Sequence, residues 1–354
     1  MLDYLIIGFG LAGLSFTETA LQKGKSCFVI DSEKNYSSRV APGLYNPVIL
    51  KRFSVAWKAD EQLDHIDHFY QNLENQFAKR YYFPLPIYRK LFSVEEQNNW
   101  FVAADHPILS SFLSPQLITH KINHIDAPYD FGEVLHSGYL DVNQLLNDYV
   151  EELKNKSIYR QEVFDYFYLE QGAEGIEYKG LKAKQIIFCE GYGAVNNPYF
   201  NYLPLDGAKG EVLLIHAPEL DLEVILKTGI FILPVGNHYY KVGSTYHFED
   251  KTVLPTESAK QELLEKLKEV ISCPFQLIEH NAGIRPTTRD RRPFVGVHPK
   301  YEHLYILNGL GTRGVMIGPY VAKHLFDFIE NQTELPLEMD IKRLKKYTYP
   351  LQNE

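Results

Sequence analysis

Gly8-Phe9-Gly10-Leu11-Ala12-Gly13, close to the start of the chain, has the glycine spacing of a turn that cradles phosphate. Gly8 permits a tight turn, Gly10 lets a pyrophosphate approach the backbone, and Gly13 lets the next helix pack against the strand. That helix begins at Leu11 and Ala12, and it offers unpaired N–H groups and a positive dipole end to an anion. Asp31, 23 residues after Gly8, is placed to accept hydrogen bonds from a ribose 2′-OH, which disfavours a 2′-phosphate. The reading is therefore a dinucleotide site.

The elements around these residues support it. Tyr4-Leu5-Ile6-Ile7 is a short apolar run suited to a buried strand. Ala12, Phe16 and Ala20 recur at helical spacing until Gly24, a helix stop, and Ser26-Cys27-Phe28-Val29-Ile30 is a second strand. Three glycines alone are a weak signal, whereas strand, glycines, helix, strand and acid in this order are specific. Gly24-Lys25-Ser26 looks like the tail of a P-loop, but Thr19 stands where the first glycine belongs and Lys25 follows a helix. That lead is discarded.

The C-terminal third repeats the pattern. Leu304-Tyr305-Ile306-Leu307 is an apolar strand that ends in Asn308-Gly309-Leu310-Gly311-Thr312-Arg313-Gly314, and a helical run follows through Val321, Leu325, Phe328 and Ile329. This second turn is either an ordinary sheet crossover or another helix N-terminus aimed at the ligand, where it would stabilise the negative charge of a reduced flavin around N1. The fingerprint by itself leaves NAD and FAD open.

Between the turns, the spacing predicts helices over Ala59–Lys79, Asp141–Leu153 and Thr256–Ile271, and strands over Tyr159–Leu169, Gly175–Tyr178 and Lys184–Cys189, the last stopping at Gly191. Asp64, His65, Asp67 and His68 lie off the apolar stripe of the first of these helices and read as a solvated face, so no metal site is expected. With no second GxGxxG, distant segments must complete the dinucleotide sheet.

Composition narrows the class. At 354 residues the chain is long enough for two lobes, and 45% apolar with 23% charged residues is ordinary for a globular protein. The 25 Tyr and 21 Phe suit thick core packing or an aromatic-lined pocket. A net charge of −9 argues against a nucleic-acid partner, since Arg289-Asp290-Arg291-Arg292 is the densest basic run and a carboxylate interrupts it. Cys27, Cys189 and Cys273 form no disulfide or CxxC pattern, which fits a reducing compartment. No signal peptide opens the sequence and no run approaches the ~18 apolar residues of a membrane helix, so a cytoplasmic setting with no membrane partner is expected.

Several further segments have a recognisable order: Ser38-Arg39-Val40-Ala41-Pro42-Gly43-Leu44, Ser137-Gly138-Tyr139-Leu140-Asp141, Phe231-Ile232-Leu233-Pro234, Val242-Gly243-Ser244-Thr245-Tyr246, and Ala282-Gly283-Ile284-Arg285-Pro286-Thr287-Thr288 followed by Asp290 and Pro293. With the two glycine turns, the chain resembles the D-amino-acid-oxidase-like FAD-dependent oxidoreductases, glycine and sarcosine oxidases among them, over nearly its whole length. The resemblance implies an α/β (α+β overall) fold, with a Rossmann-like FAD/NAD(P)-binding domain and an interleaved substrate domain built on a mixed or antiparallel sheet. We expect residues 1–80, 135–205 and 283–354 in the FAD domain and 81–134 and 206–282 in the substrate domain, with the pocket between them.

The resemblance also implies residue roles. Arg285 would hold a substrate carboxylate, a task suited to an always-charged guanidinium that makes paired hydrogen bonds. Tyr246 would face the substrate with Phe231 on the neighbouring strand, although both residues also suit a core. Ser38, Arg39, Ala41, Gly43 and Leu44 would pass close to the flavin, Val163 would meet the adenine through its backbone, and Gly191, Gly311, Thr312, Arg313 and Gly314 would complete the cofactor contacts. Arg313 would also act at the catalytic centre. FAD would be non-covalent, because no cysteine lies near the late turn. Pro42 departs from an alanine-rich loop, and no lysine is assigned to oxygen activation, so the electron acceptor, oxygen or another, stays open.

The implied reaction is oxidation of a small amine or amino acid by hydride transfer from the α-carbon to flavin N5. Gly-Leu-Gly-Thr-Arg-Gly is similar to a turn in the FAD module of the bifunctional enzyme that finishes 5-methylaminomethyl-2-thiouridine in tRNA, so a tRNA side chain is an alternative substrate. A 2-hydroxy-acid dehydrogenase, a flavin-binding protein without turnover and an NAD-dependent dehydrogenase remain further alternatives.

Overall fold

The computed structural model describes residues 1–32, 37–347 and 349, and its contacts divide the chain into two compact units. Unit 1 gathers residues 1–39, 142–208 and 284–354; unit 2 gathers 40–141 and 209–283. The first crossing therefore falls at residue 39 and not near 80. The helix Ala59–Phe77 explains the difference, because it is tied to the strand Tyr82–Pro84 that follows it. Tyr70 stacks on Tyr82 at 5.5 Å, and the Tyr82 hydroxyl donates to Asp67 at 2.7 Å. The second crossing falls between Asp141 and Val142 and not at 135, since the segment Gly138–Leu140 pairs with Leu44–Tyr45 and Tyr82–Pro84 inside unit 2.

Unit 1 is built on an eight-stranded sheet. Its centre is parallel, in the order Tyr159–Gln161, Cys27–Asp31, Leu2–Ile7, Leu181–Phe188 and Leu304–Asn308. These strands are near-continuous apolar runs, as strands covered on both faces must be; Tyr4, Leu5, Ile6, Ile186, Ile187 and Phe188 have no exposed surface. The register aligns their ends. Ile7 pairs with Ile30 and with Phe188, and Phe188 pairs with Ile306, so the loops after all four strands leave the sheet at one edge. Going from the first strand, the chain moves to Cys27–Asp31 on one side and later to Leu181–Phe188 on the other, and this reversal opens a crevice at that edge.

The expected single strand over Tyr159–Leu169 is broken in two. Pairing stops at Gln161, a 3-10 turn spans Tyr166–Tyr168, and a new strand runs from Leu169 to Gly172. Asp165 accepts the Phe167 N–H at 3.1 Å, a side-chain turn bond that competes with the ladder, and Phe164 stacks on Tyr178 at 4.3 Å.

Unit 2 carries a second eight-stranded sheet, mostly antiparallel, with one parallel pair between Ile87–Lys90 and Ile225–Lys227. One face packs on the helix Glu257–Lys268, with Leu263 and Leu267 against Leu213, Ile215, Leu226, Ile232, Tyr240 and Val242. Thr256 caps that helix through the Ala259 N–H at 3.3 Å, so the helix starts where the sequence places it and ends three residues early. Because strand side chains alternate, the opposite face carries Arg89, Lys227, Phe231 and Lys241.

Gly43 has φ +79°, and a Cβ there would lie 1.9 Å from the Leu140 carbonyl oxygen, whereas Gly180 has φ +83° with open space around it. Gly180→Ala should cost about 1 kcal/mol, for the left-handed backbone alone. Gly43→Ala adds a backbone collision and should cost about 3 kcal/mol or more. Urea denaturation of both variants checks this, and equal losses would contradict the packing described.

Candidate functional site

The first strand ends at Ile7, and Gly8 turns the chain with φ +92°. Each glycine of the fingerprint is required by a close approach. A Cβ on Gly8 would lie 2.6 Å from the Cys189 carbonyl oxygen, one on Gly13 would lie 2.0 Å from the Gly8 oxygen, and one on Gly10 would lie 2.9 Å from Ser38 Oγ. The helix Leu11–Gln22 starts from Gly10, which has no side chain to cap it; the Leu11 N–H donates to Ser38 Oγ at 3.1 Å. Asp31 Oδ1 accepts the Phe9 N–H at 3.0 Å, so the carboxylate at the end of the second strand is held against the glycine turn. The Glu162 N–H donates to the Asp31 carbonyl at 3.0 Å, which brings Val163, half of it exposed, to the same edge.

The late turn reaches this place from the other end of the chain. Gly309 and Gly311 take φ +72° and +60°, and Gly314 opens the helix Gly314–Asn331. This helix lies beside Leu11–Gln22: a Cβ on Gly314 would meet Leu11 Cδ1 at 2.9 Å, and one on Gly318 would meet Ser15 Oγ at 2.8 Å. Both contacts advance by four residues, so the helices run side by side in the same sense with their N-termini together. Neither has a side-chain cap or an acidic residue in its first turn. The helices Ala59–Phe77, Val94–Asp105 and Glu257–Lys268 have acidic first turns, whereas Val142–Asn155, like the two site helices, has none. Two adjacent helix starts, each equivalent to roughly half a positive charge, are thus left without a protein carboxylate and suit an anionic ligand.

Three linking residues escaped sequence reasoning. Asn308 is buried; its amide donates to the Gly191 carbonyl at 2.9 Å and its oxygen accepts the Gly309 N–H at 2.7 Å, joining two strand ends. Its signal was a polar residue closing an apolar strand before glycine. Ser37 Oγ donates to the Ile284 carbonyl at 2.7 Å and has no sequence signature. Glu190 follows Cys189 beneath Gly8 and receives the Tyr166 hydroxyl and, at 2.7 Å, the Asn197 amide. Burial outweighs these two donors and raises its carboxyl to about 7.

The expected residues fall in two sets. Gly8, Gly10, Leu11, Ala12, Gly13, Asp31, Ser38, Arg39, Val163, Gly191, Arg285, Gly311, Thr312, Arg313 and Gly314 belong to unit 1; Ala41, Gly43, Leu44 and Tyr246 belong to unit 2. Arg39 bonds Asn147 and, at 3.5 Å, Asn143, and Gly43 packs on Leu140, so both have structural work. Arg285 reaches the Ala208 carbonyl only at 3.5 Å, and its neighbour Pro286 accepts the Gly311 N–H at 3.0 Å, which ties Arg285 to the late turn. Arg313 is the N-cap of the late helix; burial, and then Arg291, push its guanidinium down to about 10. Phe231 is a core residue, packed over Gly243, whereas Tyr246 is 47% exposed beside Phe248.

The family described as DAO, FAD dependent oxidoreductase, matches residues 3–328. The chain belongs to the DAO family of FAD-dependent oxidoreductases. Among relatives, the tRNA 5-methylaminomethyl-2-thiouridine biosynthesis bifunctional protein MnmC of Idiomarina loihiensis is 27% identical over 40% of this chain and 25% of its own length. The D-amino acid dehydrogenase of Helicobacter pylori is 23% identical over 66% of this chain and 55% of its own. The match thus spans from a quarter to about half of these relatives. A glycine oxidase structure from Geobacillus kaustophilus superposes with TM-score 0.76 at 15% identity, covering 100% of this chain and 99% of the other, and shows the shared fold. FAD fits the residues on this edge: Gly191 and Gly311, which face open space with positive φ, two helix starts without an acid in the first turn, and Asp31 at the second strand end. No helix among the described residues is long and apolar enough to cross a membrane.

Glu190 gives a pH signature. From an ordinary 4.5, its carboxyl is raised to about 7 in the fold. Below 4.5 it is protonated in both folded and unfolded chains; between 4.5 and 7 only the unfolded chain ionises, so stability falls as pH rises through that window. Glu190→Gln should remove this component, about 3 kcal/mol, and raise the melting temperature at pH 8 relative to wild type. The same pH profile in both proteins, measured by thermal unfolding, would rule the effect out.

Proposed function

We propose that this chain oxidises a small amino acid or amine that carries a carboxylate, removing a hydride from the carbon beside the nitrogen. The observation that supports this most is the bond from the Gly311 N–H to the Pro286 carbonyl, which holds Arg285 next to the late glycine turn while that turn's helix starts beside the first. When bound, FAD supplies a hydride acceptor at N5. The paired helix starts hold the negative charge of the cofactor, and Asp31 takes its ribose hydroxyls. Arg285 holds the substrate carboxylate by paired hydrogen bonds, which orients the α C–H and replaces a chance collision with a positioned contact. Arg313 adds positive charge at the late turn.

A second reading has the same chemistry applied to an amine on tRNA. The relative named for tRNA 5-methylaminomethyl-2-thiouridine biosynthesis favours it, and the net charge of −9 weighs against it. A gel shift with tRNA at moderate salt separates the two.

The purified protein should be yellow, with its flavin bands bleached without oxygen by glycine, sarcosine or a D-amino acid and not by 2-hydroxy acids. Arg285→Leu should retain the bands and raise KM for carboxylate substrates roughly a hundredfold, the loss of a charged paired hydrogen bond of about 3 kcal/mol. Unchanged kinetics would remove Arg285 from this role, and a colourless protein would end the reading.

A further inference from the structure

Unit 2 contains a cavity of about 500 Å³ beside the turn that carries Lys51, Arg52 and Phe53, with the helix Val94–Asp105 as its other wall. The volume lies in the range of small-molecule sites. Its charge runs against the rest of the molecule. The whole chain is −9, yet Lys51, Arg52 and Arg89 line this cavity against a single carboxylate, Glu96.

Glu96 is already committed. It is the third residue of its helix, its N–H donates to the N-cap Ser93 Oγ at 3.2 Å, and its carboxylate reaches back to accept the N–H of Phe92, the residue before the cap, at 3.2 Å. It reaches Arg89 only at 3.9 Å, the outer limit of an ion pair. Arg89 is held in place by other means: it donates to the Leu50 carbonyl at 2.5 Å, and its guanidinium stacks over Phe53 at 4.9 Å. Burial lowers its pKa, the direction expected of a cation that has lost water without gaining a full counter-charge. Lys51 and Arg52 are exposed, and among the described residues no ion pair or hydrogen bond engages their side chains, the Arg52 backbone N–H donating to the Ile49 carbonyl at 3.0 Å.

The neighbouring strand reports the same positive field. Lys227 pairs with Arg89 across the parallel ladder, and burial, followed by Arg89 and Lys266, pushes its ammonium down to about 8. The remaining wall is mixed: Phe53, Ala103, the buried Leu109 and Val102, which is 74% exposed at the lip, form an apolar part, and Asn99 and His106 are its polar members. The helix also carries exposed Glu95 and Asp105 outside the lining, and these repel an extended polyanion while leaving room for a compact one.

We propose that this cavity binds a small organic anion, a carboxylate or phosphate ester on an apolar body, with Arg52, Lys51 and Arg89 meeting the charge and Phe53, Val102 and Leu109 the body. The site is separate from the role proposed for Arg285, which belongs to unit 1.

Calorimetric titration of the flavin-loaded protein tests this with sodium benzoate and phenyl phosphate as probes and inorganic phosphate as the control lacking a body. We expect saturable binding of at least one aromatic probe, weakened about tenfold or more in the Lys51→Ala/Arg52→Ala double variant, and retained in Arg285→Leu. The tighter of the two probes identifies the head group. The double variant changes only exposed side chains, and its flavin spectrum checks that it is folded. Absence of saturable binding by both probes, equal affinity in the double variant, or inorganic phosphate binding as tightly as phenyl phosphate would overturn the proposal. Loss of binding in Arg285→Leu alone would also overturn it, by moving the probe to the other site.

Discussion

Two helix N-termini that lie side by side are the constraint on which unit 1 is organised. Leu11 meets Gly314 and Ser15 meets Gly318, so the backbones approach closely enough that a Cβ on either glycine would collide. Like dipole ends placed together repel, and nothing in the first turn of either helix offsets that repulsion. Such an arrangement is favourable when an anion sits before both ends. The positive φ angles at Gly8, Gly191, Gly309 and Gly311 follow from the same requirement, since the three chain segments that carry them must turn away from one sheet edge to leave space there.

The polar residues of this edge work as ties between turns. Ser38 joins the first helix start, Asp31 joins the glycine turn, and Asn308 joins Gly191 to Gly309. Each tie satisfies a buried or half-buried backbone group that would otherwise carry a desolvation cost of about 1–3 kcal/mol. Glu190 is the exception in kind: its site is less favourable to the charged form than water is, and its two neutral donors do not make up the difference.

Unit 2 shows how one sheet divides its labour. The face against the helix Glu257–Lys268 is largely apolar, with buried Glu211 accepting the Thr256 N–H and hydroxyl where the helix starts, while the opposite face holds Arg89, Lys227 and Lys241. Burial lowers the pKa of all three cations, so this face stores positive charge at a cost in solvation. The cavity beside Arg89 is where that charge is most accessible.

Much of this was legible in the sequence, and the reason is locality. The glycine spacing, the apolar strands, the helix that stops before Gly24 and the acid at Asp31 are short-range patterns, and each appears in the fold within a few residues of its expected place. The DAO family and its FAD-binding architecture follow from those patterns taken in order. What the tertiary structure alone decided is non-local. The crossing at residue 39 depended on Tyr70 and Asp67 meeting Tyr82, the broken strand after Gln161 on Phe164 finding Tyr178, and the cavity on Arg89 meeting a turn some forty positions earlier. Residue types and spacing specify which backbone shapes are cheap, but which distant side chains share one desolvated space is set only when the chain packs.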